Sequence, residues 1–265
     1  MRAPKRPYRR AEELRELLVA EGVQLLLDSE LADGDAVTFA RVFERVERAG
    51  HPRVTKGSVL GPGRVWSSQK EFQREVETAT AAVLLDIGGE MSASLEAATA
   101  VLGQADLTTV AGRTDAVRQL CRAAGTAYFT QLLGSRTWKL WVGLWGKVAS
   151  SWGDISLEGL GASLRRAQLG TLDQLVDDLY RPLAQVVGFR GKPEFGTTDE
   201  ALRRMAVAIV GLTDGLAIHH RLFPEHFTPV DRPTGPGGEL QSWHPFAVAL
   251  EAIILQYIEP DPDLA

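Results

Sequence analysis

Residues 39–72 read FARVFERVERAGHPRVTKGSVLGPGRVWSSQKEF. Phe39, Val42, Phe43 and Val46 fall at i, i+3, i+4 and i+7, which lines up one apolar face on a short amphipathic helix. Ala49-Gly50-His51-Pro52 ends that helix, because Gly and Pro interrupt helical hydrogen bonding. A brief helix is predicted from about Val54 to Leu60, stopped by Gly61-Pro62-Gly63. Ser67 or Ser68 caps a longer one, with Glu71 three residues after Ser68 in capping-box position. Phe72, Val76, Ala79 and Val83 carry its apolar face.

Working outward, Leu14, Leu17, Leu18 and Leu25 predict a first helix between Tyr8 and Leu31. Downstream, helical periodicity covers roughly 90–103, 113–134, 136–152, 156–188, 198–222 and 242–258. Gly/Pro-rich breaks at Gly188–Gly196 and Pro229–Gly238 separate the last three. Alternating β-branched runs and Asn-Gly turns are missing, and no repeat is visible. The expected fold is all-α. A three-helix helix-turn-helix domain takes residues 1–80, and a larger helical domain takes 81–265.

Three short helices leading into a longer one make a helix-turn-helix arrangement. Its second helix braces a third that must be small enough for a major groove. Val54, Val59 and Leu60 are expected to pack inward, leaving Arg53, Thr55, Lys56 and Ser58 for phosphates and base edges. Charge distribution agrees with one anionic partner at one end. The chain carries a net charge of −5, yet residues 1–76 hold 14 Lys+Arg against 12 Asp+Glu. Arg2, Lys5, Arg6, Arg9 and Arg10 face no acid in the first ten residues. That arm is either a solvated tail or a nucleic-acid contact.

The same stretch resembles the TetR family of transcriptional regulators. That family's pattern runs close to A-G-V-S-x-G-T-L-Y-x-Y-F-x-S-K-E-x-L. Here Ala49-Gly50, Val54-Thr55-Lys56-Gly57-Ser58-Val59-Leu60, Trp66 and Ser68-Gln69-Lys70-Glu71-Phe72 follow it. Three residues, His51-Pro52-Arg53, are inserted after Ala49-Gly50, and Gly61 stands where the family has tyrosine. Gly211-Leu212-Thr213-Asp214-Gly215-Leu216-Ala217 looks like the Asp-Gly-Leu signature of the family's late dimerisation helix.

The resemblance implies a homodimeric repressor that binds double-stranded operator DNA and is released by a small hydrophobic effector. DNA contacts are then expected from Arg53, Thr55, Lys56, Ser58 and Arg64, with Thr38 and Lys70 on phosphates and Arg6, Arg9 and Arg10 in an adjacent minor groove. The dimer is expected along Met205, Ile209, Leu212 and Leu216 and along Phe246, Leu250, Ile253 and Tyr257. The same stripes could instead complete the monomer core. The effector site is expected at Tyr128, Phe129, Trp138, Trp141 and Trp145. Tryptophans at helical spacing are equally read as core.

Other chemistries find little footing. The sequence has no Gly-x-Ser-x-Gly elbow, P-loop, dinucleotide-binding turn or His-Glu-x-x-His, so no enzyme, metal or cofactor is expected. His219 and His220 diverge by about 100° on a helix and do not share an ion easily. The single cysteine, Cys121, allows no intrachain disulfide and sits in phase with Val117, Leu120 and Ala124 as a buried apolar residue. With no apolar run of membrane length and no secretory leader, a cytoplasmic location without membrane partners is expected. The competing expectation is a helical sensor or scaffold that no longer binds DNA.

Overall fold

The computed structural model describes residues 11–29, 37–84, 91–151, 154–234 and 238–264. These are predominantly helical, in the order α1 (Ala11–Asp28), α2 (Phe39–Arg48), α3 (Lys56–Val59), α4 (Gln69–Val83), α5 (Ser92–Leu102), α6 (Val110–Leu120), α7 (Thr126–Gly134), α8 (Arg136–Ser150), α9 (Glu158–Gln174), α10 (Arg181–Val187), α11 (Thr198–Leu222) and α12 (Pro245–Tyr257). A π-helical turn, Cys121–Gly125, joins α6 to α7, and a second, Leu175–Tyr180, joins α9 to α10. Two short antiparallel ribbons complete the chain: β1 (Phe189–Gly191) with β4 (Ile258–Pro260), and β2 (Val230–Pro233) with β3 (Leu240–Trp243). The β2–β3 hairpin occupies the Gly/Pro-rich break after residue 229, where its four-residue strands are too short to show alternation.

Local chemistry sets the helix ends. Thr38, Ser68 and Thr109 each accept a backbone N–H at the start of α2, α4 and α6. Thr197 and Glu200 form a reciprocal capping box before α11. At α4 the box is shifted by one residue: Ser68 caps, but the Glu71 carboxylate accepts from the N–H and hydroxyl of Ser67. These bonds from Ser67 hold the Glu71 carboxyl below its usual range. Helix α2 ends in a Schellman motif. Gly50 takes φ +80° and donates to Glu47 O at 3.0 Å, and His51 donates to Val46 O at 3.1 Å.

The chain divides into two compact units. The first comprises residues 1–85 and 136–167, the second 86–135 and 168–265. A division at residue 80 therefore differs from the observed one. The span 136–167, expected in the second domain, belongs to the first unit because its apolar side chains finish that unit's core. Leu140 and Leu144 of α8 and Leu160 and Leu164 of α9 join Leu18, Leu26, Phe39, Val76 and Trp66 in one buried cluster. Lys147 pairs at 2.6 Å with Glu77, whose side chain is buried, and Ser163 donates to Thr78 O.

Trp66 stands at the centre of the first unit. Its ring packs edge-on to Phe72 at 4.7 Å and tilts against Phe39 at 5.8 Å, while Phe39 and Phe72 stack at 4.5 Å. Its indole N–H donates to Glu75 Oε2 at 2.8 Å, and the same carboxylate takes a bidentate grip from Arg15 at 2.7 and 3.0 Å. The backbone of Trp66 also closes the loop after α3, donating to Val59 O and accepting from Gly61 N–H, each at 2.9 Å. Removing this side chain empties the position that ties α1, α3 and α4 together. Trp66→Ala is expected to lose about 3–5 kcal/mol in chemical denaturation. A loss below about 1 kcal/mol would show that the loop holds α3 without it.

Candidate nucleic-acid interface and ligand cavity

Between the starts of α2 and α3 the first unit has a surface groove of about 360 Å³. Thr38, Phe39, Arg53, Thr55, Lys56 and Gln69 are among the residues lining it, so four residues expected to meet DNA share one concavity. Arg64, Ser58 and Lys70 are exposed outside that lining, and Arg6, Arg9 and Arg10 lie outside the described residues. Arg15 is bound to Glu75, Arg45 to Glu21 and Asp28, Arg48 to Glu44, and Lys147 to Glu77. Arg53, Lys56, Arg64 and Lys70 are exposed and form no ion pair among the described residues.

Several details depart from expectation. The helix expected over 54–60 forms only from Lys56 to Val59. Thr55 is extended at φ −116°, and Leu60 is drawn into a strand-like bridge with Trp66. The Ser58 hydroxyl donates to Thr55 O at 2.6 Å, and Thr38 Oγ1 accepts from Arg41 N–H, so both hydroxyls already have local partners. The N-terminus of α4, where Lys70 is expected on a phosphate, also carries the Glu71 carboxylate, which accepts from Ser67.

The second unit encloses a cavity of about 140 Å³. Both π turns line it: Cys121, Ala124 and Gly125 come from the first, Leu175, Leu179 and Tyr180 from the second. A π turn inserts an extra residue per turn and shifts the side-chain register. Helices α5, α6, α7, α10, α11 and α12 supply most of the remaining wall, including Ala98, Val117, Tyr128, Leu183, Thr213 and Leu250. No charged side chain lines the cavity among the described residues. Burial pushes the Cys121 thiol and the Tyr180 hydroxyl well above their ordinary titration ranges, so both face the cavity uncharged.

Of the five residues expected to hold an effector, Tyr128 alone lines this cavity. Phe129 is fully buried in a stack with Phe246 at 4.5 Å, extended by Phe227 at 6.1 Å. Trp138, Trp141 and Trp145 belong to the first unit. There Trp138 is buried, Trp141 packs on the apolar cluster, and Trp145 is 40% exposed with its ring edge-on to Trp141. Their helical spacing serves that unit's packing, which corrects their assignment to the cavity.

The expected dimer stripes also need correction. Met205, Ile209, Phe246 and Leu250 are buried within one chain and line the cavity, so they cannot face a second copy. Leu212, Leu216, Ile253 and Tyr257 are half-buried, and Tyr257 packs on Phe195 at 4.5 Å. The cavity residues missed from sequence, such as Leu179, Tyr180 and Thr213, lie on apolar stripes indistinguishable from core. His219 meets His226, not His220, with ring nitrogens 3.0 Å apart.

Among the described residues, no helix is long and apolar enough to cross a membrane, and no group of three or more His, Cys, Asp or Glu is arranged for a metal. Comparison with protein-family models, curated proteins and solved structures finds no match to the chain. The two roles of the tryptophans separate in a stability measurement. Trp138→Ala is expected to cost about 3 kcal/mol, and the half-exposed Trp145→Ala less than about 1 kcal/mol. Equal and small losses at both sites would argue against a packing role for α8.

Proposed function

We propose that the chain is a sequence-specific DNA-binding regulator, acting as a homodimeric repressor whose affinity for its operator falls when a small apolar molecule occupies the second unit. The observation that carries the DNA reading is the gathering of unpaired cations around α3 and its groove. Arg53, Lys56, Arg64 and Lys70 are exposed and form no ion pair among the described residues, and Arg53 and Lys56 line one groove with Thr55. Phosphate contacts need free cations, because each one neutralised by an acid releases no counterion. The single turn of α3 spans too little to read a site by itself. Arg53 before it and Arg64 after it extend the contact.

A shortened α3 with its Ser58 hydroxyl already bonded favours the second reading, a ligand sensor that has lost DNA binding. Selection of bound sequences from a random duplex pool separates the two. Under the first reading one motif is enriched, and Arg53→Ala combined with Lys56→Ala weakens binding. If both cations contact phosphates, the double variant also flattens the salt dependence by about two units of log–log slope. No enrichment, or unchanged affinity in the double variant, supports the sensor.

The dimer is assigned to the outer face of α11. Val207, Gly211, Gly215, Ile218 and Leu222 recur at i, i+4, i+8, i+11 and i+15, and all are exposed. A second copy of the same helix covers such a face by two-fold symmetry, and paired half-sites require that symmetry. Sedimentation at micromolar concentration is expected to give twice the 28.8 kDa chain mass. Val207→Glu with Ile218→Glu is expected to return it to monomer without unfolding. A wild-type monomer would remove this assignment. Ligand control then follows from linkage: the ligand shifts DNA affinity only by its difference in affinity between the DNA-competent and released states.

A further inference from the structure

Several buried polar atoms of the second unit, among them the Trp243 indole nitrogen, have no hydrogen-bond partner, and of these Thr213 Oγ1 belongs to a residue that lines the cavity. Helical threonines commonly satisfy their hydroxyl by donating to the carbonyl four residues earlier. Thr78, Thr80, Thr99 and Thr114 do so at 2.8 Å, and Thr126 does so to Arg122 O. Thr213 does not. Its side chain is more than nine-tenths buried, its Oγ1 has no hydrogen-bond partner, and it lines the cavity. A buried hydroxyl without a partner is costly, so such positions are rare unless something fills them. The rest of the wall is mostly carbon, from residues such as Leu95, Val117, Leu183 and Met205, with Ser94, Cys121, Tyr128 and Tyr180 as its other residues with polar side chains. A bridging water needs two to four polar partners, which a carbon-lined void supplies poorly.

From these observations we infer that the cavity takes an uncharged, single-ring-sized apolar ligand carrying one hydrogen-bonding group, and that Thr213 Oγ1 is the partner of that group. Size sets the first limit, since a void near 150 Å³ accommodates a molecule of about benzene's size. Charge sets the second. A carboxylate or ammonium would lose its hydration with no counter-charge in the lining. Specificity then rests on the hydroxyl, because apolar walls discriminate shape weakly and a buried polar group discriminates chemistry well. Both π turns, Cys121–Gly125 and Leu175–Tyr180, contribute residues to the wall. The inference deepens the ligand-responsive part of the proposed function and rests on that reading only for what binding accomplishes.

The test uses the full chain without DNA and three probes: phenol, toluene, which replaces the hydroxyl by a methyl group, and benzoate, which adds a charge. Calorimetric titration is expected to show phenol and toluene binding, with benzoate at least about tenfold weaker than phenol. Intermolecular nuclear Overhauser effects from phenol to the methyls of Met205 and Leu250 locate it in the cavity. In the isosteric Thr213→Val variant the ratio of phenol to toluene affinity is expected to fall about fivefold, the weight of one neutral hydrogen bond. Thr213→Ser keeps the hydroxyl and is expected to keep the ratio. Failure of both aromatics to bind, phenol found elsewhere, benzoate binding as well as phenol, or an unchanged ratio in the valine variant each overturns the inference. If Thr213→Val does not fold, the benzoate comparison and the Overhauser contacts still decide it. DNA release is measured separately. If phenol binds in the cavity and operator affinity stays unchanged, the ligand site stands and the regulatory reading falls.

Discussion

The hydrogen bond from the Trp66 indole to Glu75 is the constraint on which the first unit depends. A buried tryptophan must find a partner for its N–H, and Glu75 is fixed for that role by the bidentate grip of Arg15. One carboxylate therefore joins α1, α4 and the loop that follows α3. The backbone of the same tryptophan takes up Val59 O and Gly61 N–H, which ends α3 after a single turn. The surface carrying Arg53, Thr55 and Lys56 is thus positioned by an interaction on its inner side. Its own four-residue helix is too short to be stable alone.

The second unit follows different logic. Its surface charges matter less than the continuity of its apolar interior, which α11 and α12 share with the π turn after α6. Where ion pairs are buried they fasten elements together: Glu251 of α12 holds Arg118 of α6 at 3.2 Å and Arg232 of β2 at 2.7 Å, and Arg232 lies 4.5 Å over the Trp243 ring. Gly188, at φ +66°, turns the chain from α10 into β1, whose pairing with β4 brings the far end of the chain back to that point. Within this frame residues of both π turns line a gap. Thr213 faces that gap with a hydroxyl left unbonded.

Helix type and extent were legible in the sequence because both are local. Capping residues, glycine stops and a 3.6-residue apolar period placed α1, α2 and α4 to α12 within a few residues of where they lie. Exposure of Arg53, Lys56, Arg64 and Lys70 was legible for the same reason, since apolar neighbours at fixed spacing settle which way a short turn faces. The β2–β3 and β1–β4 ribbons were not, because strands of three or four residues carry no readable period and depend on partners far along the chain.

An apolar stripe in sequence states that a face is covered and leaves open what covers it. The stripe of Trp138 and Trp141 meets the core of the first unit, and that of Met205, Ile209, Phe246 and Leu250 meets a cavity inside its own chain. The residues left on the outside of α11, Val207, Gly211 and Ile218, show no distinguishing pattern beforehand. The partition into units, which joins 136–167 to the N-terminal helices, is likewise a matter of which stripe finds which. The sequence by itself determined the helices, most of their ends and the outward placement of Arg53 and Lys56. Tertiary structure alone decided the partners of each apolar face and the existence of the cavity, because both depend on packing between segments distant in sequence.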